Sequence, residues 1–224
     1  MYFDSSYILY AIPVFILSII SQIWIKSSYA RNSVKFPGNN MTGKEAAEII
    51  KSRNNFPVEI IIQGPALSDH FDPSKNTVSI STESLKSSVA DIAVVAHEFG
   101  HVAQKFSNSL LFKFRNGLVP VVNIGSNLGL ILIAVGLTIN ILDLAQIGLI
   151  LFSLTTLFAL ITVPIERDAT KRGLNFIKEY NLIDSDNMSG AKSVLNAASM
   201  TYVASLLSSL MNLLYYASRV RKRD

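Results

Sequence analysis

Two long stretches almost free of charge constrain this chain more than any other feature. Residues 7–25 (YILYAIPVFILSIISQIWI) carry no charged side chain, and residues 118–163 carry only Asp143, which divides them into two apolar runs of about 20. At about 1.5 Å of rise per residue, each run is long enough as a helix to cross a hydrocarbon core of roughly 30 Å. The segment 194–217 is also uncharged, but Ser, Asn and Thr interrupt it. Half of the 224 residues are hydrophobic and 16% are charged, too apolar a balance for a soluble domain of this size. The expected fold class is a mainly α membrane protein with three or four transmembrane helices.

No Lys or Arg precedes the first run, and Trp24 and Lys26 close it as an interfacial pair. It therefore reads as an uncleaved anchor over 1–25 rather than a signal peptide. Of the 20 basic residues, eleven lie in 26–115, five in 164–194 and four at the C-terminus. By the positive-inside rule, segments 26–117 and 164–193 both face the cytoplasm, joined by a transmembrane hairpin over 118–163. A fourth span would carry RVRKRD outside, so 194–224 is expected to be an apolar helix that packs on the bundle without fully crossing, followed by a basic tail.

The chain has no cysteine, so disulfides and thiolate ligands are excluded and any metal must be held by His and carboxylates. Its net charge of +4 is modest. The one dense basic cluster, Arg219–Arg223, directly follows an apolar run and suits anionic lipid headgroups better than nucleic acid.

Within 26–117, residues 42–52 begin with Thr42 and Glu45 in a capping-box pattern and continue as an amphipathic helix. The β-branched run 58–64 predicts a strand. Residues 77–81, TVSIS, alternate and predict a second strand, half-buried or on an edge. A helix is expected over 82–106, capped by Ser81 or Thr82.

That helix contains VVAHEFGHVAQ at 94–104. Residues i and i+4 of a helix share a face, so His97 and His101 can grip one metal ion. Glu98, beside the first ligand, can take a proton from a water that zinc activates, giving peptide-bond hydrolysis. Two histidines and a glutamate among Ala, Val and Gly would be costly to bury unpaired. A catalytic zinc needs a third protein ligand. Glu166 and Asp168, in VPIERDATKR, lie on the cytoplasmic side that the hairpin returns to, where Pro164 would mark a helix end or a new first turn. Spacing leaves open whether these acids are ligands or surface salt-bridge partners. His70, in SDHFDP, is either an oxyanion stabiliser or part of an ordinary turn, with Asp69 and Asp72 able to orient a ligand. Tyr180, Tyr202 and Arg172 are weaker transition-state candidates.

The segments Leu67–Pro73, Ala96–Gln104, Pro164–Ala169 and Leu195–Ala204 together resemble the neutral zinc metallopeptidases of the bacterial YugP type, themselves distantly similar to the gluzincins. The resemblance implies a multi-pass enzyme of the bacterial cell membrane with a small α+β zincin-like catalytic domain, a motif helix beside a short sheet. It implies one catalytic Zn2+ and a protein or peptide substrate, with His97, His101 and Glu166 as ligands and Glu98 as base. In such an architecture strand 77–81 would be the edge on which substrate pairs. Gluzincins carry an Asp four residues after the ligand Glu. Here that position is Thr170 and the Asp is Asp168, which leaves Asp168 an outer supporting role at most.

Overall fold

Four long helices dominate the computed structural model, which describes residues 5–221. The first four residues of the expected anchor and residues 222–224 of the basic tail lie outside the described residues. The elements, in order, are α1 (Ser5–Ser33), α2 (Gly43–Asn54), β1 (Glu59–Ile62), β2 (His70–Asp72), β3 (Thr77–Ile80), α3 (Val89–Phe106), α4 (Leu110–Thr138), α5 (Leu142–Glu179) and α6 (Met188–Arg221). Helices α1, α4, α5 and α6 are all long and apolar enough to cross a membrane. The C-terminal helix, expected to stop short, thus qualifies by length and composition, although it is the least apolar of the four. The protein is mainly α with a small α+β part, as its sequence predicts.

The chain divides into two compact units. The first gathers residues up to Ser21, Lys113–Pro164 and the chain from Thr201 onward. Its α4 and α5 form a hairpin that turns at Asn140, a non-glycine residue with φ of 58°. The two helices approach to backbone contact: a Cβ added at Gly148 would lie 2.6 Å from the Gly129 carbonyl oxygen. Small residues at such a crossing allow the close packing that holds helices together where lipid removes the hydrophobic drive. Leu9, Phe15, Ile124 and Ile150 point outward and are more than half exposed, as lipid-facing side chains would be.

The second unit comprises Gln22–Phe112 and Ile165–Met200. Thr42 caps α2, with Glu45 completing the capping box, and Asn55 closes the helix in the left-handed region. The sheet order is β1-β3-β2, with β1 parallel and β2 antiparallel to β3. This reverses one expectation: 77–81 is the central strand, not the edge. The displaced edge is β2, formed by residues that read as a turn. His70, Phe71 and Asp72 pair with Ser79, Val78 and Thr77, and the actual turn follows, where the Asp72 carboxylate accepts from the Ser74 N–H. The start of the motif helix also differs. Residues 82–85 form a separate 3-10 turn, and α3 begins at Val89 with Ser88 capping the Asp91 N–H. Ile50 of α2, Val78 and Ile80 of β3, Ile92 and Phe99 of α3 and Ile177 of α5 are fully buried and form the core. Burial of each contributes roughly 1.5–3 kcal/mol. Pro164 does not end a helix, because α5 runs through it. Proline forfeits one backbone hydrogen bond, a loss tolerated in long helices whose neighbours hold them.

Candidate metal centre

Helix α3 brings His97 and His101 to one face, and α5 places Glu166 opposite them. One Glu166 oxygen, Oε2, lies 3.2 Å from His97 Nε2 and 3.4 Å from His101 Nε2. The three ligand atoms all lie within 4.8 Å of one another. Glu166 is 2% exposed and Glu98 8% exposed. A buried pair of carboxylates needs compensation, and a divalent cation among these donors supplies it.

The approach of α3 to α5 depends on two glycines. A Cβ at Gly100 would fall 2.2 Å from the Ala169 carbonyl oxygen, and one at Gly173 would fall 2.8 Å from the Ala96 carbonyl oxygen. Each helix therefore presents a bare backbone where the other crosses it, Gly100 next to His101 and Gly173 against the backbone of Ala96 and His97.

Both histidines are held by their remaining nitrogens. Gln104 Nε2 donates to the Ile165 carbonyl at 2.7 Å and to Asp168 Oδ2 at 2.9 Å. Both partners are acceptors only, so the amide nitrogen must face them and Oε1 must face His101 Nδ1, 2.9 Å away. That oxygen requires a proton on Nδ1, which leaves the Nε2 lone pair free. His97 Nδ1 has the Thr170 hydroxyl at 3.2 Å, a group that can accept the Nδ1 proton when Nε2 faces a metal. Two neutral imidazoles presenting Nε2, with one carboxylate, form a donor set that fits zinc.

Glu98 is fixed differently: the backbone N–H of Phe71, on β2, donates to its Oε2 at 2.9 Å. Burial raises the Glu98 carboxyl above its ordinary value, although His97 and His101 pull it down. For His101 burial acts downward, but the hydrogen bond and charge of Glu166, with Glu98, leave its pKa raised.

The other candidates lie apart from this cluster. His70 is exposed on β2, with Nδ1 2.9 Å from the Ser68 carbonyl oxygen. Asp69 accepts from the Ser81 N–H and the Ser84 hydroxyl, bracing the end of β3. Asp168 holds Gln104 and receives Arg172 Nε at 2.8 Å, so both act on His101 at one remove. Tyr180 accepts from Asn54 and stacks on Phe176, while Tyr202 falls in the first unit. Three contributors escape a reading from sequence: Gln104, Thr170 and the Phe71 N–H. Gln104 and Thr170 stand three and four residues after ligands, a spacing that marks them only once the helix crossing is known.

Helices apolar enough to span a membrane, together with a His-His-Glu set that could hold a metal ion, are the features of a membrane metalloprotein. The family model described as "Putative neutral zinc metallopeptidase" matches residues 7–221, and the chain belongs to that family. It is 34% identical over 204 residues to the "Putative membrane protease YugP" of Bacillus subtilis (strain 168), covering 89% of this chain and 90% of that protein. No solved structure matches the chain significantly.

Proposed function

We propose that the protein is a multi-pass membrane zinc endopeptidase of gluzincin-like design, with one catalytic Zn2+ held by His97, His101 and Glu166. The observation that carries this reading is the convergence of those three ligand atoms beside the buried Glu98. A zinc ion bound there supplies Lewis acidity, polarising a carbonyl and lowering the pKa of water to about 7. Glu98 is the general base. Its Oε2 is anchored by Phe71, which leaves Oε1 to take the proton of the attacking water and return it to the leaving amine. Burial makes this carboxylate a stronger base than an exposed one. The same contact ties the base to the outer edge of β2, along which an extended peptide would lie as an added strand. Gln104 holds His101 in the tautomer the site needs, and Thr170 offers His97 Nδ1 a hydrogen-bond partner. The bias of basic residues toward 26–115 and 164–194 assigns the catalytic segments to the cytoplasmic face of a bacterial cell membrane.

The test is zinc content and casein cleavage for the wild type and Glu98→Gln in detergent. The variant is expected to keep its zinc and lose about 100-fold or more of the cleavage rate. Equal cleavage by both proteins would overturn the mechanism, and bound zinc with no cleavage by either would leave a membrane scaffold with a structural zinc.

A further inference from the structure

A groove of about 670 Å³ in the second unit is lined by α1, α5 and α6 and by no Asp or Glu. Arg167, Lys171 and Lys178 project into it from one face of α5, at spacings of four and seven, and Lys192 joins them from α6. All four are exposed, and among the described residues none takes part in an ion pair. Four exposed cations around one groove repel each other and attract a multivalent anion, even though Lys171 also feels the charge of Asp168. The remaining wall sets the apolar Trp24, Leu174, Met188 and Met200 beside the neutral polar Thr170, Asn175, Asn196 and Ser199. Along α1 the groove begins at Trp24, the last turn of the charge-free run. Along α5 it begins three residues beyond Pro164, where that helix's apolar run ends. Trp and Lys at the end of a span mark the headgroup level of a bilayer.

We propose that this groove binds a phosphate-headed anionic lipid, its phosphate on Lys171, Lys178, Lys192 and Arg167 and its acyl chain against Trp24 and Leu174. The recognised chemistry is a phosphate ester with an apolar tail. Free phosphate shares the first half of it and lacks the second, and basic grooves beside spanning helices are suited to the lipid form.

Trp24 is the only tryptophan in the chain, so its fluorescence reports on this groove alone. The experiment places the full-length protein in phosphatidylcholine nanodiscs and titrates in phosphatidylglycerol with brominated acyl chains, which quench tryptophan on contact. Brominated phosphatidylcholine gives the baseline. Quenching by the anionic lipid is expected at a several-fold lower mole fraction than by the neutral one. Removing one cation should reduce that preference in part, and removing three should abolish it. The groove triple variant is Lys171→Gln, Lys178→Gln and Lys192→Gln. The control, Lys44→Gln, Lys51→Gln and Lys75→Gln, removes equal charge elsewhere and should keep the preference. Replacing the three groove lysines by arginine should keep it too, and shows that loss in the glutamine variant is not misfolding. Equal loss in the groove and control triples would overturn the proposal, since general charge would then explain the effect. Millimolar inorganic phosphate that erases the preference would assign the groove to free phosphate and overturn the lipid assignment. Competition by an acidic peptide, without any preference between the two lipids, would overturn it in favour of a protein partner.

Discussion

Gly100→Ala is the smallest change that tests whether the α3–α5 crossing sets the metal centre. In an isolated helix the substitution would be favourable by about 1 kcal/mol. Here the added Cβ would stand 2.2 Å from the Ala169 carbonyl oxygen, with the Ala169 carbonyl carbon at 2.9 Å and its Cα at 3.0 Å. All three are backbone atoms of α5, so no side chain can swing aside. Restoring an ordinary contact of 3.4 Å from 2.2 Å requires about 1.2 Å of separation between the helices. Glu166 is one turn from Ala169, and His97 and His101 flank Gly100, so the same displacement opens the 3.2 and 3.4 Å ligand distances. Metal coordination tolerates only about 0.2 Å. Overpacking costs about 1–3 kcal/mol, partly offset by the helix preference, so the metal-free protein should lose only a few degrees in Tm. Zinc affinity should fall about 100-fold or more. At zinc concentrations of 100 times the wild-type Kd, the wild type gains about 2.7 kcal/mol of stability, and the variant should gain almost none. Chelator competition gives the affinity, and thermal unfolding with and without zinc gives the stabilisation. Gly117→Ala is the control, because nothing lies within 4 Å of its added Cβ. It should unfold slightly later and bind zinc as the wild type does. A Gly100→Ala protein with wild-type zinc affinity would refute the claim that this crossing fixes the ligand geometry.

Two further outcomes are expected. Thr170→Val and Gln104→Leu each remove the side-chain hydrogen-bond partner of one histidine Nδ1, and each should weaken zinc binding about 10–100-fold by chelator competition; unchanged affinity would mean that other contacts orient the rings. The Asp91 carboxyl is raised by burial, against the hydrogen bonds from Ser88 and Tyr29. A raised folded pKa stabilises the fold below the ordinary carboxyl value of about 3.9 and loses that contribution as pH rises through the raised value. Asp91→Asn should therefore compare more favourably with wild type in Tm at neutral pH than at pH near 4, and the opposite order would show that the charged form is the one the fold favours.

How far the sequence could be read depended on whether the signal was local. The α2 capping box, the apolar runs and the His-Glu-x-x-His face are fixed by neighbours within a few residues, and each is legible. The strand β2 is not. Ser68-Asp69-His70-Phe71-Asp72-Pro73 has the composition of a turn, and its extended backbone comes from pairing with β3 on one side and from Glu98 on the other. Once β2 takes that edge, 77–81 becomes central, so a single nonlocal contact accounts for both misreadings. The split of 82–106 is a subtler case. Ser88 has Asp91 three residues on, an acid that Ser81 and Thr82 lack at that spacing, and Asp91 is also held by Tyr29, 62 residues away in sequence. Pro164 looked like a boundary because its local effect is to break helices, whereas tertiary support carries α5 through it.

Position 170 shows why a site of this kind can do without an aspartate there. Glu98 and Glu166 are already two carboxylates in a buried cluster, and a dication among them brings the formal charge to zero. Thr170 is itself only 7% exposed, so a third carboxylate in its place would be an uncompensated buried charge, costing several kcal/mol. The threonine hydroxyl gives His97 Nδ1 a hydrogen-bond partner without that charge. Asp168, two residues earlier on α5, lies half-buried where Arg172 can neutralise it, and it reaches His101 only through the Gln104 amide. The two histidines are thus oriented by a neutral hydroxyl and by a screened acid acting through an amide. The acid that supports the proposed site stands where a cation can meet it, and an aspartate at position 170 would upset the charge balance around the proposed metal.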